Sequence, residues 1–355
     1  MLTLASEQPR PEELSGWPFY SAQLNYMITG KVDLGLCRGR LYEIFGPEGS
    51  GKSTLAMQAC REVIRQDGIA VYIDMEHKQY LPYVRQLGVD MDELILMQPP
   101  PPEKDKPPKP LCAEDVIAAA PVYAEMGADL IVVDSLPAMW PRVLLNHPDP
   151  GKEEMAQRAR AVTKLLRGLM CLMESDSFAA ILINRLSASF DSYSPETTLC
   201  GKSPRYDSSV RIRLAQCTLA EEQFKGNLGG LNNSAKSTIG ALTRAAVKKN
   251  SVGVPLRTVK IPLFFGTGFD YVYDAYLFAA RLGLIKRSKK KGVSGYKVGA
   301  EWVADDPYYE GRPAMEARWS EVMDLLRSAS ESNELVLEDG TVIDEDTGEV
   351  LEEEE

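Results

Sequence analysis

Histidine and cysteine are scarce in this 355-residue chain, which has two histidines, His77 and His147, and six cysteines at 37, 60, 112, 171, 200 and 217. No two cysteines form a C-x-x-C pair. This argues against a zinc centre and a disulfide framework, and favours reduced thiols in a cytosol-like compartment. Long apolar runs are also lacking, none approaching the roughly 20 residues that span a bilayer. The opening MLTLASEQPRPEE has no basic region followed by an apolar core, so no secretory signal is read there. A cytoplasmic protein with no membrane partner is expected. Internal repeats are absent, and the length suggests about two domains.

Basic residues are missing from one stretch. Residues 331–355 carry twelve of the 51 acidic side chains and no Lys or Arg. The remaining 39 acids face 40 basic residues, so the net charge of −11 belongs to the tail. Such a tail is either a disordered solubiliser or an internal decoy that competes with an anionic ligand for basic surface.

The most informative stretch present is Leu41 to Thr54, LYEIFGPEGSGKST. An apolar run with strand character breaks at Gly46. Gly46, Pro47, Glu48, Gly49, Ser50, Gly51, Lys52 and Ser53 then satisfy the phosphate-loop pattern G-x-x-x-x-G-K-[ST]. A helix follows from Thr54 to Arg65. Glycines let successive N–H groups turn inward on phosphate oxygens, and the helix start adds its positive dipole end. Lys52 is expected to reach the β- and γ-phosphates, and Ser53 to hold Mg²⁺. Asp134 closes the apolar run Asp129–Asp134, where a second metal-orienting carboxylate belongs. Glu76 is read as ending the preceding strand, in Tyr72-Ile73-Asp74-Met75-Glu76-His77, placed to orient or deprotonate the attacking water.

Strands alternating with helices up to Asn184 predict a parallel sheet with helices on both faces. Gly16 to Arg40 reads as irregular, and Asn184 to Asp207 as a long polar loop. From Ser208, strand-like runs without helices predict an antiparallel extension. Residues 99–110 hold seven prolines and read as a stiff surface excursion. Phe269 onward reads as a small C-terminal unit with a helix, a Lys-rich turn and a second helix near Ala314 to Ser328. In the long loop, Arg185, Lys202 and Arg205 offer charge to phosphates, and Phe190 and Tyr193 offer ring faces to bases. Arg158 and Arg160 are further phosphate-contact candidates.

GPEGSGKST, YIDMEH, LPYVRQLGVD, DLIVVDS, ILIN and PETT occur in an order and spacing that resembles the RecA recombinase family, from about Ser21 to Ser328. The resemblance implies a RecA-like α/β core over 16–266, a short arm over 1–15, a small α+β C-terminal domain over 267–330 and an acidic tail over 331–355. It implies ATP and Mg²⁺, single- and double-stranded DNA, a helical filament of this chain, and accessory single-strand-binding or mediator proteins. Glu76 matches the family's catalytic glutamate and Tyr83 the aromatic that stacks on adenine, and Thr54, next to the phosphate loop, is a further nucleotide-binding candidate. Lys249 matches the lysine that reaches a neighbour's nucleotide. Leu144–Glu154 and Asn184–Tyr206 match the two DNA-binding loops. Lys286, Arg287, Lys289, Lys290 and Lys291 resemble the surface that gathers duplex.

The chain also departs from the pattern. Arg185 stands for a γ-phosphate-sensing glutamine, Ser251 for a second interface lysine, and Tyr80 for an acid that contacts adenine. Only Leu2-Thr3-Leu4 remains for an inter-subunit strand. Divergence of this kind resembles phage-encoded recombinases. A mediator that hydrolyses ATP slowly or not at all stays open as an alternative, and a hexameric helicase-like motor is disfavoured by the PETT loop.

Overall fold

The computed structural model describes residues 14–99, 110–145, 153–173, 178–188, 196–226, 237–255, 257–290, 293–299, 301–304 and 312–331. The Leu2–Leu4 segment, residues 100–109 of the proline-rich run, most of the first proposed DNA loop, Phe190, Tyr193, Lys291 and the acidic tail beyond Glu331 lie outside them.

The chain enters through β1 (Gly16–Trp17), α1 (Ala22–Thr29) and β2 (Leu36–Cys37). Helix α1 falls inside the stretch expected to be irregular. Ser21 caps its first turn, and Gly30 ends it in the left-handed region. Its buried Gln23 and Asn25 broke the apolar periodicity. Asn25 hydrogen-bonds the backbone at Phe19 and Val32, and Gln23 the Asp274 carboxylate.

The core then alternates as expected: β3 (Leu41–Gly46), α2 (Lys52–Ile64), β4 (Ala70–Asp74), α3 (Leu81–Gln86), β5 (Ile95–Met97), α4 (Ala113–Glu125), β6 (Leu130–Asp134), α5 (Arg142–Leu145), α6 (Glu153–Met173) and β7 (Ala179–Ala188). Strand residues alternate between two cores. Tyr42, Ile44, Tyr72, Val132 and Ile181 face α2, while Leu41, Val71, Ile73, Val133 and Leu182 face α4 and α6. Burial on both faces is why these strands read as continuous apolar runs.

Three expectations need correction. The polar loop is partly ordered, because β8 (Glu196–Thr198) folds back antiparallel on β7 and α7 (Ser203–Asp207) follows. The antiparallel extension begins one strand later than expected: β9 (Val210–Gln216) runs parallel to β3. Beyond β10 (Gln223–Gly226), β11 (Ser237–Asn250), β12 (Arg257–Phe264) and β13 (Gly268–Phe269) are antiparallel. The sheet order is β13-β12-β11-β9-β3-β7-β6-β4-β5. Third, the Lys-rich turn is a strand.

The C-terminal unit holds α8 (Tyr271–Arg281), the sheet β14 (Lys286–Lys290), β15 (Val293–Val298) and β16 (Glu301–Ala304), then α9 (Arg312–Ala317) and α10 (Trp319–Glu331). The second helix is therefore two. This unit's core includes Ala22 and Val32, so the N-terminal segment packs into it. Among the described residues, no helix is long and apolar enough to cross a membrane.

Candidate nucleotide and nucleic-acid site

Consecutive strands β3 and β4 are separated in the sheet by β7 and β6, which opens a crevice at the carboxyl ends of the parallel strands. The phosphate loop fills it. At Gly46 a Cβ would lie 2.1 Å from the Leu214 carbonyl oxygen, so only glycine fits there. Gly51 has φ 87° and caps α2 in the left-handed region.

Lys52 opens α2 and is buried. Its Nζ donates to the carbonyls of Gly46 (3.1 Å) and Pro47 (2.6 Å). Burial lowers its pKa, and the Asp134 charge opposes that shift. Asp134 accepts from the Tyr72 hydroxyl at 2.6 Å and the Gln79 amide at 3.3 Å. Burial raises its carboxyl, while hydrogen bonds from Tyr72 and Ser53 pull it down. A serine hydroxyl beside a carboxylate is a hard, all-oxygen donor set, which fits Mg²⁺.

Glu76 lies in the turn after β4 rather than in the strand. Ser135 Oγ donates to it, Arg185 Nη2 lies 2.6 and 2.5 Å from its two oxygens, and Lys78 Nζ is 2.7 Å away. Burial alone would raise this carboxyl; the hydrogen bonds from Lys78, Ser135 and Arg185 outweigh it, and the net shift is downward.

Residues Gly46 to Thr54, Glu76, Lys78, Tyr83, Asp134 and Arg185 line one cleft of about 610 Å³. That is room for a nucleotide. The Tyr83 hydroxyl and Thr54 Oγ1 lie 3.1 Å apart. Sequence reasoning missed Phe265, 48% exposed on the cleft wall beside Gly266. The available signal was an aromatic-glycine step closing an apolar strand. Lys249 is not part of this cleft: its Nζ donates to the Tyr206 carbonyl at 2.6 Å. Burial and the nearby Arg211 charge lower its pKa.

A second cluster lies on α6. Arg160, Lys164 and Arg167 are exposed at i, i+4 and i+7, on one helix face that lines a groove of about 380 Å³. Thr163 Oγ1 and Ser203 Oγ, 2.8 Å apart, tie α6 to α7, where Lys202 and Arg205 are exposed. Lys164 and Arg167 escaped the sequence reading, although their spacing from Arg160 was visible. Arg158 turns inward instead, donating to the Pro137 carbonyl at 3.1 Å and covering the Trp140 ring at 4.6 Å. Lys286 and Arg287 are exposed on β14, with the Arg287 guanidinium 5.5 Å from the Tyr296 ring centre. Lys289 and Lys290 belong to the same strand.

Residues 21–270 match the family model described as the RecA N-terminal domain. The protein RecA of Chloroherpeton thalassium is 30% identical over 276 residues, 75% of this chain and 71% of that protein. Protein RecA of Clostridioides difficile is 30% identical over 278 residues, covering 76% and 73%. Protein RecA of Borrelia turicatae is 33% identical over 303 residues, covering 85% and 74%.

Proposed function

The chain belongs to the RecA family, and from that premise we propose that it is a DNA-dependent ATPase that polymerises on single-stranded DNA and pairs it with a homologous duplex. The observation that carries this reading is the meeting of Lys52, Asp134, Glu76 and Arg185 in one cleft, with Arg185 on the strand that pairs into the β8 hairpin. Lys52 and the loop N–H groups hold phosphates, and Ser53 and Asp134 would hold Mg²⁺, which would supply neutralising charge to the phosphates. Glu76 takes the proton of the attacking water as the new O–P bond forms. The bond from the γ-phosphorus to the β–γ bridging oxygen breaks, and ADP leaves with the electron pair. Tyr83 stacks on the base. Lys249, outside its own cleft, serves a neighbour's nucleotide across a filament interface. DNA runs over Arg160, Lys164, Arg167, Lys202 and Arg205, and Lys286, Arg287 and Lys289 to Lys291 gather duplex in the domain over 267–330.

The test is ATP turnover with and without single-stranded DNA. Strong stimulation that is lost in Glu76→Gln supports the reading. A second reading, a binding-only mediator, draws on the ion pairs that occupy Glu76. Flat, negligible turnover with intact DNA binding would select it.

A further inference from the structure

Two cations in the cleft hold Glu76. Lys78 and Arg185 both line the nucleotide cleft, and both reach the same carboxylate. Lys78 is a near neighbour of Glu76 in the chain, whereas Arg185 comes from 109 residues away. Lys78 sits in a turn built for the purpose. His77 takes φ 52°, and the Asp74 carboxylate accepts from the backbone N–H of Lys78 at 3.3 Å and of Gln79 at 3.0 Å. The Gln98 amide steadies Asp74 at 3.0 Å. Arg185 is fixed at its backbone, where its N–H donates to Asn184 Oδ1 and its carbonyl accepts from Leu199.

Beyond these anchors the two side chains reach Glu76 through solvent-exposed positions. Lys78 is 61% exposed and Arg185 45%, whereas Glu76 is only 13% exposed. Two solvent-exposed cations therefore cover a nearly buried carboxylate. Lys52 differs, because it is buried against the loop carbonyls. The loop and Lys52 can thus receive the first phosphates without disturbing Glu76. Only a further phosphate, with more negative charge than one carboxylate, competes for both outer cations.

We propose that Lys78 and Arg185 form a two-cation latch on Glu76 that a terminal third phosphate releases and a second phosphate does not. The two cations pass from the carboxylate to that phosphate, and Glu76 is left with Ser135 and the water it must activate. The chain thereby distinguishes triphosphate from diphosphate with charges of its own. This rests on the reading of the cleft as a nucleoside-triphosphate site.

The experiment is equilibrium binding of ADP and of a non-hydrolysable ATP analogue, each with Mg²⁺, to the full-length protein. The variants are Glu76→Gln, Lys78→Ala and their combination. Lys78 is largely exposed, so its truncation leaves the fold intact. In Glu76→Gln the cations are already free, and the analogue should tighten about tenfold while ADP changes less than about twofold. Lys78→Ala should lower the preference for analogue over ADP about fivefold. Additivity would leave the double variant with about a twofold gain; the latch predicts no gain over wild type, because truncating Lys78 costs more once Glu76 no longer competes for it. Equal tightening of ADP and analogue in Glu76→Gln would mark a general charge effect and overturn the latch, as would strict additivity in the double variant. Failure of the wild-type protein to bind either nucleotide would remove the reading of the cleft and the latch with it. Normal nucleotide binding without the discrimination would remove the latch alone.

Discussion

Glu43 Oε2 accepts from Arg211 Nε at 2.5 Å in the middle of the central sheet, where the carboxylate is fully buried. Asn184 donates to the other oxygen at 2.8 Å and also to the Leu199 carbonyl at 3.0 Å. The guanidinium covers the Phe45 ring at 4.5 Å. This network joins the phosphate-loop strand to the base of the β8 hairpin and to β9, the partner of the strand that carries Lys249.

Removing one member should therefore be costly. Glu43→Ala leaves Arg211 charged and nearly buried, and should destabilise the protein by about 3–5 kcal/mol. Replacing both, as Glu43→Leu with Arg211→Met, should recover most of that loss. Denaturant midpoints compared at equal slope decide it; a loss under about 1 kcal/mol in Glu43→Ala would show that water reaches the pair.

The α6 face predicts a salt effect. Alanine at Arg160, Lys164 or Arg167 should weaken single-stranded DNA binding alike on all sequences. Each should also reduce the slope of log affinity against log salt by about 0.7. Anisotropy titrations over a salt series measure this. Slopes unchanged from wild type would place the DNA elsewhere.

Two glycines of the phosphate loop should respond differently to alanine. Both have positive φ, 74° at Gly49 and 87° at Gly51. A Cβ at Gly49 meets nothing within 4 Å, whereas at Gly51 it lies 2.9 Å from Phe269 Cζ. Backbone strain of about 1–2 kcal/mol is common to both. Gly51→Ala should lose about a further 1 kcal/mol from the clash. Thermal unfolding of the two variants side by side tests the difference; equal losses would refute the contact.

Asp274 predicts a pH dependence. It is fully buried on α8 and accepts from Ser21 Oγ at 3.0 Å, from Gln23 N at 3.1 Å and from Gln23 Nε2 at 2.8 Å. Burial pushes its carboxyl from 3.8 up to about 7, against the pull of those donors. The folded state thus keeps a proton that the unfolded chain has lost across this window. Stability from this group is full below about pH 4, falls as pH rises towards 7, and is level above, by about 4 kcal/mol at most. Asp274→Asn should flatten that fall. Unfolding curves at pH 5 and pH 8 for both proteins give the comparison, and parallel behaviour would contradict it.

The phosphate loop, the apolar strands and helix α6 were legible because each depends on residue types at short, fixed spacing. Helix α1 was not, because buried Gln23 and Asn25 interrupt its apolar face and are satisfied by Asp274, Phe19 and Val32. The direction of β9 was not legible either: alternation fixes which face a strand buries, not which way its neighbour runs. Arg185 could be named as a phosphate contact from its position, but its grip on Glu76 joins residues 109 apart.

By itself the sequence determined the phosphate-loop motif, the alternation that builds the sheet and the segregation of negative charge into residues 331–355, since all three follow from which side chains stand near one another along the chain. Tertiary structure alone decided that Lys78 and Arg185 share one carboxylate, that Lys249 lies outside its own cleft and that Arg158 turns inward while Arg160, Lys164 and Arg167 face out. Those outcomes depend on which strands become neighbours and which face of a helix the core covers, and packing settles both only when the whole chain has folded.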